Sequence, residues 1–168
     1  MRLPMTAAIG LFGFAVGALS QDAAQVSTTY DPNRAFYLSA ADVAARAAEF
    51  DPGVAYSNTT VLERADPDSP TGLAYRLAVD RRTPPQRAAA HRNEAEVWSV
   101  VGGSGEITTD GRIVEIAGAD GVVERRIEGG TVHRVSAGDY LVIPEGVPHQ
   151  VTGFDPSLLI VTFEFPRG

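Results

Sequence analysis

The chain contains three histidines, His91, His133 and His149, and two of them stand where their neighbours ask for a chemical explanation. His91 precedes Glu96 by five residues in "HRNEAEVWSVV". On extended backbone, Glu96, Trp98 and Val100 share one face while Val97, Ser99 and Val101 share the other. A carboxylate that leads a face of Trp and Val is costly in an apolar interior unless it has a partner, and the simplest partner is a cation. His149 follows "PEGVP", a turn of two prolines and a glycine that fixes where its imidazole points, and its strand would continue inward through Val151. Taken singly, His149 equally fits a hydrogen-bonded interior histidine, and His91 a strand-end residue in solvent. His133, between Val132 and Arg134, is expected to be solvent-facing or structural.

The elements that must position these residues are strands. Before them, "LSAADVAARAAEF" reads as a short helix, with Ser39 and Asp42 as a capping pair, alanines at 41, 44, 45 and 48, and a stop at Asp51-Pro52-Gly53. From there the period changes to two. Ten short runs rich in Val, Ile, Thr, Tyr and Phe lie between turn signals, from "TTVLER" through "AEVWSVV", "GEITTD" and "HQVTGF" to "LLIVTFEF". Asp110-Gly111 is a dipeptide favoured by tight hairpins, and Gly102-Gly103, Gly129-Gly130 and Ala137-Gly138-Asp139 add further positive-φ positions. Strands at this spacing imply an all-β antiparallel sandwich or barrel. The arginine pairs Arg81-Arg82 and Arg125-Arg126 are expected to be solvated strand positions, and Trp98 to be core.

Two segments have a more specific pattern. "GDYLVIPEGVPH" places Gly138, Pro144, Gly146 and His149 at the spacing G-x5-P-x-G-x2-H, and "HRNEAEVWSVVGG" places His91, Glu96 and Gly103 in order. Here the sequence resembles the cupin superfamily, whose motifs are G-x5-H-x-H-x3-4-E-x6-G and G-x5-P-x-G-x2-H-x3-N. Ala89 occupies the first histidine position, "TPPQ" replaces the opening glycine, and Gly153 stands at the final Asn position. The motifs cover residues 83–153, and the surrounding strands extend the likeness to 55–168. The resemblance implies a cupin jelly-roll β-barrel preceded by a short N-terminal helix. It also implies that the two motif strands meet, so that His91, Glu96 and His149 form one metal site. Two imidazoles and a carboxylate suit Fe, Mn, Ni, Zn or Cu, with positions left open for water or substrate. Cupins range from metal-dependent dioxygenases, isomerases and oxidases to binding proteins without catalysis, and they commonly pair as homodimers through barrel edges. Fold does not select among these. The expected function is to bind or transform a small molecule at a divalent metal. The alternative is a metal-free ligand-binding or interaction module with a vestigial site.

Composition narrows the rest. The 168 residues, 44% of them hydrophobic, suit one domain. The sequence lacks both cysteine and lysine, which excludes disulfides, thiolate ligands, cysteine nucleophiles and Schiff-base lysines. A formal charge of −7 argues against nucleic acid as a partner, since phosphate binding needs a basic face. Residues 1–20, "MRLPMTAAIGLFGFAVGALS", carry one basic residue and then thirteen apolar or glycine positions from Ala7 to Leu19. That run is short for a bilayer span and ends in small residues, so it reads as a secretory signal peptide, the alternative being an uncleaved membrane anchor. The expected organisation is therefore a signal at 1–20, a leader with a short helix at 21–54 and a cupin domain at 55–168. The mature protein would be periplasmic or secreted, with no stable membrane anchor after cleavage.

Overall fold

The structure, a computed structural model, describes residues 34–62, 75–83, 86–118 and 121–166; the expected signal peptide and residues 21–33 of the leader lie outside them. The one helix described, α1 (Ala40–Ala48), begins with the expected capping box: Asp42 N–H donates to Ser39 Oγ (3.1 Å), and Ser39 N–H donates to Asp42 Oδ2 (3.0 Å). The Ser39 hydroxyl, which donates to Asp42 Oδ2 (2.6 Å), and the Ser39 N–H hold the Asp42 carboxyl below its ordinary pKa. The alanine stripe at 41, 44, 45 and 48 nevertheless faces solvent. Val43 and Ala47, with Phe50 just past the helix, pack instead on Val61, Leu62, Leu77, Val79 and Val161. The larger side chains remove more apolar area from water, so they choose the buried face, while alanine contributes only helix propensity.

Eight antiparallel strands follow: β1 (Tyr56–Leu62), β2 (Arg76–Arg82), β3 (Glu94–Thr109), β4 (Arg112–Ala117), β5 (Val123–Glu128), β6 (Thr131–Ser136), β7 (Tyr140–Ile143) and β8 (His149–Pro166). The expected all-β architecture with a short preceding helix is what the structure shows. The order is β1-β2-β8-β3; beyond β3, β7 pairs with its first half and β6 with its second. The ten expected runs become eight strands because two pairs fuse. "AEVWSVV" and "GEITTD" are one strand, β3, and "HQVTGF" and "LLIVTFEF" are one strand, β8. The glycines between the first pair sit at bulges where the β3–β8 register shifts, between Val100 and Gly102 and between Gly103 and Ser104. Such bulges bend a strand without ending it.

Asp110-Gly111 also differs from expectation. Both residues have positive φ (64° and 65°), yet β3 and β4 do not pair with each other. β3 pairs with β6 as far as Thr109–Thr131, and β4 resumes with β5 at Arg112–Glu128. The dipeptide therefore kinks a continuous two-stranded ribbon opposite Gly129-Gly130. The far part of the ribbon is tied through Ala88 N–H, which donates to Arg125 O (2.9 Å), to the segment that bridges β8 at Ala89–His149. The bend thus carries the β4–β5 ribbon round to the strand that bears His149. Alternation along β2 and β8 gives two clusters. One lies under α1; the other, Trp98, Val100, Ile107, Val135, Ile143, Val151, Leu158 and Ile160, fills the interior.

Candidate metal centre

Register brings the three candidate residues together. Ala89 and His149 exchange two backbone hydrogen bonds (2.9 and 2.8 Å), so their side chains share a face, and His91 lies two residues further on. The imidazoles of His91 and His149 are 5.3 Å apart between centroids. Glu96, the third residue of β3, lies on its interior face, where it leads Trp98 and Val100 as alternation requires. His91 Nε2 is 3.1 Å and His149 Nε2 is 3.8 Å from Glu96 Oε1. One donor atom from each residue lies within 4.8 Å of the others. Metal–ligand bonds of about 2.0–2.2 Å at tetrahedral or octahedral angles want donors roughly 3 Å apart, so small side-chain rotations suffice to close this set on an ion.

The turn before His149 does more than aim it. Gly146 N–H donates to His91 O (2.7 Å), so one turn fixes both histidine segments. Gly146 has φ of 72°, a conformation β-branched residues avoid. Gly146→Val is expected to cost about 1–3 kcal/mol in thermal or urea unfolding and to lower metal stoichiometry together with stability. Wild-type stoichiometry in that variant would show that the turn does not position the site.

Protonation suits ligation. His149 Nδ1 is 3.1 Å from Val147 O, and because a carbonyl only accepts, Nδ1 carries the proton and Nε2 presents its lone pair to Glu96. Burial, opposed by that hydrogen bond and assisted by nearby His91 and Arg82, lowers the His149 pKa to about 4, so the ring is neutral at pH 7. Burial raises the Glu96 carboxyl; the Trp98 hydrogen bond and the charges of His91 and Arg82 pull it back. Trp98, fully buried, donates Nε1–H to Glu96 Oε2 (2.5 Å) and meets the His149 ring edge-on at 5.3 Å. It is core, as expected, and it also orients the carboxylate.

A cavity of about 430 Å³ opens above the three residues, with Tyr56, Arg82, Glu94 and Glu164 on its walls. Arg82 corrects the expectation of a solvated arginine pair. Its guanidinium carbon lies 4.3 Å from the Trp98 ring centroid and 4.9 Å from that of Tyr56, and its side chain is 16% exposed. Alternation in "RLAVDRR" carries the signal: Ala78, Asp80 and Arg82 face the interior, while Leu77, Val79 and Arg81 face α1. Arg81 accordingly donates to Phe50 O and Asp51 O, just beyond that helix. Arg126 is exposed and Arg125 half-buried beside Glu115, close to expectation. His133 lies away from the cavity walls and hydrogen-bonds Thr109 Oγ1 (2.9 Å), a structural role.

No protein-family model matches the chain, and no curated protein matches it. Among solved structures, KdgF from Halomonas sp. is 16% identical, with 71% of this chain and 87% of that one covered and a TM-score of 0.47. The Cnp3 cupin domain of Schizosaccharomyces pombe is 7% identical, with 71% of each chain covered and a TM-score of 0.46. A cupin protein from Bacteroides fragilis is 18% identical, with 57% and 69% covered and a TM-score of 0.39. Likeness at this distance carries no activity across. In the spacing of its two motifs and in its antiparallel strand architecture, the chain is cupin-like.

Proposed function

We propose that this protein is an exported, cupin-like barrel that holds a divalent transition metal on His91, Glu96 and His149 and binds or transforms a small molecule in the cavity above. The observation that carries the reading is the buried carboxylate of Glu96, 4% exposed, with the Nε2 atoms of two histidines 3.1 and 3.8 Å from one of its oxygens. Two imidazoles and one carboxylate are a donor set for Fe, Mn, Ni, Zn or Cu. The Val147 carbonyl and the Trp98 indole supply the outer hydrogen bonds that orient such ligands. Ala89 contributes backbone bonds and no fourth donor, which leaves coordination positions for water or substrate. A bound divalent ion would supply Lewis acidity or an oxygen-binding centre there; the protein's own part is to hold the donors and present a walled cavity.

The competing reading, a metal-free cavity, also has an observation behind it. Trp98 Nε1–H and a protonated His91 would satisfy Glu96 without any ion. Elemental analysis of protein purified from its native compartment, followed by remetallation with each of the five metals, decides between them. About one equivalent of one metal is expected, and failure to bind any of them would leave the metal-free reading standing. Export rests on the apolar run of residues 7–19, and no helix among the described residues is long and apolar enough to cross a membrane. Intact mass of the exported protein should begin between Gln21 and Gln25; retained Met1 would overturn the assignment. Homodimer pairing, if it occurs at a barrel edge, has β7 as its candidate, where Tyr140 and Val142 are exposed.

A further inference from the structure

From the walls of the cavity we infer that its ligand is a small organic carboxylate, anchored at Arg82 with its other polar end towards His91, Glu96 and His149. The inference deepens the proposed function and rests on that reading for the metal end; the part played by Arg82 stands on its own geometry. Arg82 is the last residue of β2 and lines the same cavity as the three candidate ligands. Its guanidinium sits between the Trp98 and Tyr56 rings, an arrangement that holds a cation in place through the ring faces. Among the described residues its one hydrogen bond is to Asp80 Oδ2 (3.1 Å), out of five N–H donors that a guanidinium carries.

Asp80 is the counter-ion of Arg82 and is itself fixed. It is 1% exposed and accepts from Thr162 Oγ1 (2.8 Å) and from Asn58 Nδ2. Asn58 Oδ1 in turn accepts from Arg76, which also pairs with Glu164 (2.5 Å). This chain of bonds neutralises Glu164 and holds Arg82 rigidly at the cavity wall. With Glu164 and Arg82 paired to Arg76 and Asp80, the lining is left with Glu94 and Glu96 against Arg87, so it is the divalent ion that turns a loaded cavity towards an anion, and the unfilled N–H groups of Arg82 that give the anion a place to bind. Among anions a planar carboxylate fits the guanidinium fork, which recognises it through paired N–H groups.

Trp98 is the only tryptophan in the chain and touches both Arg82 and Glu96, so its fluorescence reports on each end of the cavity. The full-length mature protein, metal-free and loaded with Zn²⁺, is titrated with acetate, pyruvate and succinate, and with acetamide as the neutral counterpart of acetate. Saturable changes are expected for at least one carboxylate and none for acetamide. Arg82→Gln should weaken that carboxylate at least tenfold while keeping wild-type zinc stoichiometry, and Arg82→Lys should recover part of the loss. Equal binding by Arg82→Gln would mean that the ion alone holds the anion, and it would overturn the inference. So would saturation by acetamide matching acetate, or no saturable response to any of the three carboxylates. If Arg82→Gln fails to fold, the comparison of Arg82→Lys with wild type decides, because a lysine loses the paired geometry. If the protein takes up no zinc, the loaded titration is run with whichever of Fe, Mn, Ni or Cu it does take up, and the metal-free titration still tests Arg82.

Discussion

Glu96→Gln is expected to abolish tight metal binding while leaving the metal-free fold as stable as wild type or more so. The side chain keeps its shape, and its carbonyl can still accept from Trp98 Nε1, while its amide can donate to the bare Nε2 of His149. What disappears is the anionic donor, and two imidazoles alone hold a divalent ion poorly against water. His91→Ala and His149→Ala should lose the metal as well, whereas His133→Ala should keep it, since His133 bonds Thr109 elsewhere in the fold. The loss in each ligand variant should exceed the roughly 10- to 100-fold typical of removing an outer partner, which is the effect expected of Trp98→Phe. Metal content after dialysis against a buffer of set free-metal concentration measures all five. Equal content in the three ligand variants and wild type would exclude the site.

The same variant exposes a pH dependence that wild type conceals. Burial depresses the His149 pKa to about 4 in the fold, against an ordinary 6.5 for the unfolded chain. Unfolding therefore takes up a proton between those values: the contribution is fully present above pH 6.5 and is lost as pH falls towards 4. Its size is up to about 3 kcal/mol at 1.36 kcal/mol per pKa unit. Glu96 acts in the opposite sense, because its raised pKa makes the ionised form a cost at neutral pH that acid relieves. In metal-free Glu96→Gln the histidine is left against Glu164, a less deeply buried carboxyl whose pKa burial also raises, so urea unfolding should still show stability falling from pH 6.5 to 4. A flat profile would place His149 in water rather than in the interior.

The candidate site was legible in the sequence to the extent that it depended on spacing. Alternation put Glu96 among apolar neighbours, and the Pro-Gly turn marked His149, because both are local rules with periods of two to five residues. What the sequence did not disclose were relations set by register between distant strands. The bond from Gly146 to His91 and the Ala89–His149 bridge join segments more than fifty residues apart, and no local pattern encodes them. Arg82 was misread for a related reason. A charged pair at a strand end is usually solvated, and only the aromatic faces of Tyr56 and Trp98, brought from two other strands, make an interior position tolerable. Alanine spacing marked the helix but not its buried face, which side-chain size decides. Asp110-Gly111 kinks a ribbon where a hairpin was expected, since positive φ at two successive residues bends a strand pair as readily as it reverses one chain.

Gly103 gives the sharpest test of the fold itself. It is the glycine that closes the first motif, with φ of 72°, and it sits at the bulge between β3 and β8. A Cβ built there would lie 1.8 Å from Ser157 O, a backbone atom in a paired strand that cannot swing aside. Gly103→Ala is therefore expected to separate the two longest strands locally and to cost at least about 4 kcal/mol, in the range reserved for severe steric or packing defects. At about 2–4 °C per kcal/mol for a chain of this size, the metal-free protein should melt at least roughly 8 °C lower, or fail to fold. Gly129 provides the control, since its φ is also positive (69°) but open space surrounds its Cβ position. Gly129→Ala meets only the backbone preference, and about 1 kcal/mol is expected. The two substitutions share chemistry and conformation and differ in what lies opposite. Equal melting temperatures for the two variants would mean that β3 and β8 do not approach at Gly103 as closely as the structure has them.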